Sequence, residues 1–144
     1  MHLQPETGFR ESYRILGETL ISVNDYTSGR HFDDAVSYAF YPVDLHTRTG
    51  VRPKPLKRGT VPTIPLRALI PNGSENIIVA GRCVSSDRLA NSGLRVQAAC
   101  MGMGQAAGAT AALAAESNTT PLKVPLPKIH GPLQDHQAII PTKG

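Results

Sequence analysis

The stretch of the chain best suited to chemistry combines an apolar segment, a polar loop and a long uncharged run. Ile77 to Gly81 is the most hydrophobic segment and predicts a short buried strand that ends in a glycine turn. Gln97 to Ala115 contains no charged residue and consists almost wholly of Ala, Gly and Met. We expect a helix over roughly residues 93–116. Its first N–H groups, near Ser92 to Val96, could bind a phosphate, a carboxylate or an electron-rich ring edge.

Tight packing alone offers a second explanation for this helix. Small residues recur every four positions in two rows, which lets another backbone approach closely. Packing on a sheet accounts for that spacing completely, so an anion site and a purely structural helix both remain open. The rows are Ala98, Gly102 and Ala106, and Gly104, Gly108 and Ala112.

A few other polar residues could act on a substrate. His46 could donate or accept a proton, because the unperturbed pKa of histidine is about 6.5. Arg10, Arg14 and Arg95 could orient a carboxylate group of a substrate. The alternatives are a structural histidine at a strand end and ordinary surface ion pairs. The five histidines lack ligand spacing with one another or with the cysteines, so no metal site is predicted.

Composition and charge exclude several classes of protein. The net charge is +4, and residues 45–74 contain six Lys or Arg but no Asp or Glu. Only 5% of residues are aromatic, and neither a stacking surface nor a basic helix accompanies this charge, so nucleic acid is not an expected partner. The run after Val96 has too few large apolar side chains for a membrane span. With no signal peptide, Cys83 and Cys100 are expected to be reduced, and the protein to be cytoplasmic.

Weaker patterns suggest the elements around this unit. Strands are predicted over Tyr13–Ile21, Phe40–His46 and Thr63–Ile70, the last at an edge because of its proline. Residues Asp33–Ala39 are predicted to form the beginning of a short helix with an aspartate as its N-cap. A turn is predicted at Pro71–Gly73. One further short element is expected between Leu133 and Pro141.

Taken together, these stretches resemble the C-terminal part of FAD-dependent oxidoreductases. The matching motifs span about residues 8 to 116, and their combination is specific although no single one is. They are Asn76-Ile-Ile-Val-Ala-Gly-Arg-Cys-Val-Ser85, Ser92-Gly-Leu-Arg-Val96 and Gly104-Gln-Ala-Ala-Gly-Ala-Thr-Ala-Ala-Leu-Ala114. Upstream they are Arg10–Glu18, Phe32–Val36, Tyr41–His46 and Ile64–Pro71.

The resemblance implies a flavoenzyme of the α/β class, with the C-terminal part of a Rossmann-like FAD-binding domain and a β-rich substrate segment. It implies that Ala80, Gly81 and Arg82 lie near the ribityl and pyrophosphate part of FAD. It also implies that the helix start, Ser92 to Gln97, including Gly93, Leu94 and Arg95, faces the pyrimidine edge of the flavin. Reduced flavin is negatively charged at that edge, so a helix N-terminus beside a guanidinium would stabilise it. His46, Arg14 and Arg95 are the catalytic residues expected on the substrate side.

One family motif is missing from the chain. The fingerprint G-x-G-x-x-G, which holds the ADP part of FAD, does not occur; Gly102-Met103-Gly104 lacks the third glycine and follows no strand. We expect a fragment, a truncated product, or a chain whose N-terminal half is supplied separately. By itself it is expected to bind FAD weakly or not at all. The expected division is a substrate segment (1–74), an FAD-binding unit (75–117) and a proline-rich tail (118–144). The alternative is a non-catalytic remnant or interaction module of the same fold.

Overall fold

The computed structural model describes residues 11–47, 50–51 and 53–141. Four α-helices and four short strands occur in this part of the chain, joined by long extended segments. The helices are α1 (Val23–Ser28), α2 (Arg88–Leu94), α3 (Gln97–Glu116) and α4 (Leu126–Asp135). The strands are β1 (Ala35–Tyr38), β2 (His46–Thr47), β3 (Gly50–Val51) and β4 (Thr63–Pro65), and two single turns of 3-10 helix span Leu66–Ala68 and Pro121–Lys123.

The strands form two antiparallel pairs. β1 pairs with β4, with Ser37 opposite Ile64 and Tyr38 opposite Thr63, and β2 pairs with β3. α3 packs across β1 and against α4, and Met103 and Ala106 of α3 are fully buried there. The chain thus mixes helices with small two-stranded sheets, consistent with the predicted α/β class. Among the described residues, no helix combines the length and the apolar character needed to cross a membrane.

The prediction of one helix over residues 93–116 was wrong at its start. The polar stretch before it, predicted as a loop, is largely the separate helix α2, and a break at Arg95 and Val96 separates α2 from α3. Asp87 makes α2 possible, since one oxygen of its carboxylate accepts a hydrogen bond from the N–H of Ala90 at 2.8 Å. Its other oxygen accepts from the N–H of Val23 at 2.5 Å, at the start of α1.

The helix predicted to begin at Asp33–Ala39 was also wrong, because residues 35–38 form β1. Asp34 does not cap a helix beginning there. Its carboxylate accepts hydrogen bonds from the backbone N–H and the Nε of Arg67, both at 3.0 Å. The contact between Asp34 and Arg67 holds the start of β1 beside the 3-10 turn that follows β4. Residues 35–38 therefore pair with β4 and do not form a helix.

Two predicted strands are extended segments without a ladder among the described residues. Tyr13–Ile21 makes isolated bridges at Gly17 and Ile21, and Ile77–Gly81 has no strand partner there. A hydrogen bond from Val79 N–H to the Leu69 carbonyl, at 2.8 Å, ties the second segment to the core. Ile77 is 53% exposed, so the expected burial of this segment is incomplete.

The remaining predictions were met in part. Val43 forms an isolated bridge within the predicted strand Phe40–His46, and β4 covers only the first three residues of Thr63–Ile70. The turn at Pro71–Gly73 is present. After α3 the chain is more ordered than expected, since α4 begins at Leu126 and buries Ile129 and Leu133.

Candidate functional site

The turn at Gly81 presents backbone to an open surface. Gly81 has φ +101°, and a Cβ atom placed on it would meet no atom within 4 Å. Ala80 and Arg82 on either side are exposed. The backbone there adopts a conformation that favours glycine, beside space that a ligand can enter. The structure therefore brings Ala80, Gly81 and Arg82 together on one accessible turn.

A buried asparagine fixes this turn to α2. The Nδ2 of Asn91 donates to the carbonyl oxygen of Arg82 and to the Oγ of Ser86, each at 3.1 Å. Asn91 is only 2% exposed, so these bonds satisfy an amide that burial would otherwise penalise. The position of the Gly81 turn is consequently set by α2.

The start of α3 is a second accessible backbone feature. Val96 is the N-cap residue, and no side chain caps the helix there. Gln97 and Ala98 are exposed, and the first backbone N–H that bonds back to Val96 belongs to Cys100. The positive end of a 20-residue helix thus lies where a ligand can reach it.

Arg82 adds positive charge near this helix start. Burial raises the pKa of the Cys100 thiol, and the charge of Arg82 acts in the opposite direction. Cys100 lies in the first turn of α3, so the guanidinium of Arg82 is close enough to act on that turn. The Gly81 turn therefore places the charge of Arg82 within electrostatic reach of the first turn of α3.

Three predicted cofactor-binding residues lie inside α2 and are buried. The Oγ of Ser92 donates to the Leu89 carbonyl at 2.6 Å and accepts from the N–H of Asp44 at 3.0 Å. Gly93 packs directly against the ring of Tyr26, and Leu94 is fully buried. Ser92, Gly93 and Leu94 therefore pack inside the protein. Their contact with a cofactor stays a prediction.

Arg95 joins α2 to the segment that leads to His46. Its side chain is only 8% exposed. Nη2 donates to the Asp44 carbonyl at 3.2 Å, and Nη1 lies 3.5 Å from the carboxylate of Glu11. The backbone N–H of Arg95 donates to Asn91, so this N–H is not one of the free groups at a helix start that the sequence predicted.

The other two predicted catalytic residues are Arg14 and His46. Arg14 Nε donates to the Ser86 carbonyl at 3.0 Å, beside the residues that cap α2. His46 opens β2, two residues after the Asp44 contact with Arg95. Arg10 lies outside the described residues. Arg14 and Arg95 therefore both contact the region around α2, whereas the contacts described there do not include the backbone of His46.

Sequence reasoning missed three residues that organise this area, namely Glu11, Asp87 and Asn91. Glu11 also binds the Nε of Arg88 at 2.6 Å. Its carboxylate therefore connects Arg88, in α2, with Arg95, at the end of α2. Asp87 could have been recognised, since an aspartate three residues before Ala90 is a helix-start signal. No local pattern marks Glu11, whose partners Arg88 and Arg95 are distant in sequence, or Asn91, whose partners Arg82 and Ser86 lie nearby but in irregular chain. Among the described residues, no group of three or more His, Cys, Asp or Glu could hold a metal ion.

Comparison with known families identifies the class of protein. The model of the family described as FAD dependent oxidoreductase matches residues 1–133. The chain therefore belongs to this family of flavoproteins, whose cofactor is FAD. Comparisons with curated proteins and with solved structures gave no match.

Proposed function

We propose that this chain is the flavin-facing, C-terminal part of an FAD-dependent oxidoreductase and contributes to hydride transfer between a substrate and FAD. Ala80, Gly81 and Arg82 would contact the ribityl and pyrophosphate part of the cofactor. Val96, Gln97 and the first turn of α3 would face the pyrimidine edge of the flavin.

The residues present fit this half of the cofactor. The Gly81 turn offers open backbone, α3 begins without a side-chain cap, and Arg82 supplies positive charge to both. Such an arrangement suits an electron-rich ring edge or a phosphate. FAD, when bound, supplies two-electron hydride chemistry; the protein's part is to orient it and to stabilise negative charge.

The segment Ile77–Gly81 and the outer face of α3 are both open, and they support the proposal that a further nucleotide-binding half completes the site. Ile77–Gly81 is apolar and extended, lacks a strand partner among the described residues, and leaves Ile77 53% exposed. The outer face of α3 carries small, uncharged side chains. Cβ atoms placed on Gly104 and Gly108 would meet no atom within 4 Å. An apolar segment without a strand partner and an open glycine face are each suited to a partner whose backbone approaches closely.

On this proposal the chain has three parts. Residues 1–74 contribute a β-rich substrate segment, residues 75–117 the strand, loop and helix that face FAD, and residues 118–144 a C-terminal tail. The fold of residues 75–117 is then the C-terminal part of a Rossmann-like domain whose G-x-G-x-x-G half comes from elsewhere in the protein or from a second chain.

Arg95, Arg14 and His46 are the proposed catalytic residues. Arg95 is held by Asp44 and Glu11, so its charge is fixed in position at the end of α2. We propose that it stabilises negative charge that develops on the bound cofactor or substrate. Arg14 is proposed to face the substrate side of the flavin, and His46 to transfer a proton.

Co-expression tests the assignment to the flavin-facing half. The chain alone is expected to retain little FAD, whereas co-expression with a G-x-G-x-x-G half from a family member should give a yellow complex. The flavin absorbance per chain measures this result. A complex that forms without flavin would favour the non-catalytic remnant, and tight stoichiometric flavin on the isolated chain would contradict the need for a second half.

A single bulky residue tests the proposed docking face. Gly108→Leu is expected to leave the chain folded, because the space around Gly108 is open, but to prevent flavin retention in the co-expressed complex. Lys128→Leu places the same side chain on an exposed position of α4 and serves as the control. Equal flavin content in the two variants would exclude this face of α3 as the docking surface.

His46→Asn in a full-length relative tests the proton-transfer role. Loss of a positioned acid–base group typically lowers kcat by about 10²–10⁴-fold. The pH profile should lose the limb that reports the imidazole. Unchanged turnover would remove His46 from the catalytic residues.

A further inference from the structure

A groove of about 510 Å³ runs along the first half of α3. One wall is the end of β1 with Phe40, and the other is the segment from Gln137 to Ile139 that follows α4. Gly102 and Ser37 both line the groove and pack against each other, since a Cβ atom on Gly102 would collide with the Oγ of Ser37. Sequence reasoning did not predict this groove, because its walls come from three distant parts of the chain.

The lining of the groove is uncharged. Its residues are Ala, Val, Met, Ile, Gly, Phe, Tyr, Ser and Gln, although the chain as a whole carries 15 Lys or Arg and 11 Asp or Glu. Three large apolar side chains at its rim are left in solvent, with Phe40 and Met101 each 71% exposed and Ile139 83% exposed. Apolar side chains clustered at a concave surface are typical of a binding site.

We propose that this groove binds the substrate, and that the substrate is an uncharged, largely apolar small molecule. The identification of the ligand as the substrate rests on the proposed function, because the groove begins at Val96, Ala98 and Ala99, where α3 is proposed to meet the flavin. Its volume lies within the range of small-molecule sites, which is about 300–1,000 Å³.

Charge complementarity determines the class of ligand. Away from the start of α3, a charged group entering the groove would lose its hydration and find no oppositely charged side chain among the lining residues, which is unfavourable. Apolar surface would instead be removed from water against Phe40, Met101 and Ile139. Ser37, Gln105 and Gln137 provide hydrogen-bonding groups for a few polar atoms. Arg14 and Arg95, which could have oriented a carboxylate, do not line the groove.

Two fluorescent probes that share one ring system test the binding claim without flavin. N-phenyl-1-naphthylamine is neutral, and 8-anilino-1-naphthalenesulfonate differs from it by a sulfonate group. We expect the chain to bind the neutral probe at least about tenfold more tightly. Met101→Lys should weaken the neutral probe about tenfold and strengthen the anionic one. Leu122→Lys, at a 44% exposed apolar position outside the groove, should change both affinities less than about twofold.

Several results would overturn this part of the proposal. The first is equal binding of the two probes to the unaltered chain. The second is an effect of Leu122→Lys on probe binding as large as that of Met101→Lys. The third is self-association of the chain that Met101→Lys abolishes while probe binding is unchanged. The last result would assign the groove to a contact between copies of the chain.

The flavin-containing complex tests the assignment to the substrate. If the groove adjoins the flavin, the neutral probe should shift the visible absorption band of the bound cofactor, and Met101→Lys should remove the shift. A complex that holds flavin but shows no shift would overturn the substrate assignment and leave the proposed function intact. Failure to hold any flavin would contradict the proposed function, while the probe measurements on the chain alone would still decide whether the groove binds an uncharged ligand.

Discussion

Gly93→Ala is expected to destabilise the protein, although alanine is the better helix former. Gly93 lies inside α2, and a Cβ atom on it would lie 2.5 Å from the Oη, 2.6 Å from the Cζ and 2.7 Å from the Cε1 of Tyr26. Tyr26 cannot easily move, because it is fully buried and its Oη donates to the Tyr41 carbonyl at 2.8 Å. The helix and the ring must therefore separate.

Two opposing terms give the magnitude. Replacing glycine by alanine in a helix gains about 1 kcal/mol. Overpacking a buried contact costs about 1–3 kcal/mol, and the three close atoms of Tyr26 place the cost of Gly93→Ala at the upper end of this range. The expected net effect is a loss of about 2 kcal/mol. Gly104→Ala and Gly108→Ala, at open positions of α3, have only the favourable term and should each stabilise the chain by about 1 kcal/mol.

Urea unfolding followed by far-ultraviolet circular dichroism measures these differences. The sign should differ between Gly93→Ala and the two control variants. In a Tyr26→Phe background the nearest of the three atoms, the hydroxyl oxygen, is absent, so the cost of Gly93→Ala should fall. An alanine at position 93 that leaves stability unchanged or raises it would refute the packing argument, as would a loss of stability in both controls.

Two further predictions concern residues that join distant elements. Asp87→Ala should lower the free energy of unfolding by about 2–3 kcal/mol, because α2 loses its N-cap acceptor and α1, which Ser22 still caps, loses the acceptor of its first N–H. Asp135→Ala, at the exposed end of α4, should change this free energy by less than about 0.5 kcal/mol, and chemical denaturation compares the two variants. Burial raises the pKa of Tyr26 from 10.0 to about 12, so its neutral form contributes about 3 kcal/mol of stability that is present below pH 10 and lost as the pH rises towards 12. Tyr26→Phe should flatten the loss of stability between these two pH values, and an unchanged slope would show that another group titrates.

The sequence predicted those elements whose causes are local. The end of the long helix near Glu116 and the turn at Pro71–Gly73 follow from residue type, and the structure confirms both. Residues 33–39 look like a capped helix locally, but Asp34 binds Arg67 and the chain forms a strand against β4 instead. That competition depends on a residue 33 positions away, which local patterns do not contain.

The candidate site shows the same division. The glycine turn at Gly81 was predicted correctly, whereas the start of the long helix was placed too early because no local pattern marks the break at Arg95 and Val96. Asn91 and Ser92 are polar and yet buried, and the partners that allow this are the Arg82 carbonyl and the Asp44 N–H. Single-sequence reasoning sees the polar side chains but not these partners.

The shared use of Asp87 by two helices has a consequence for how the structure opens. α1 and α2 have six and seven residues, too few to be stable as isolated helices, and one carboxylate accepts from the first N–H of α1 and from the third of α2. Neither helix start can be exposed to solvent without weakening the other. Native-state hydrogen exchange should therefore give the amides of Val23 and Ala90 the same opening free energy, which makes the two short helices one cooperative unit beneath the proposed flavin site.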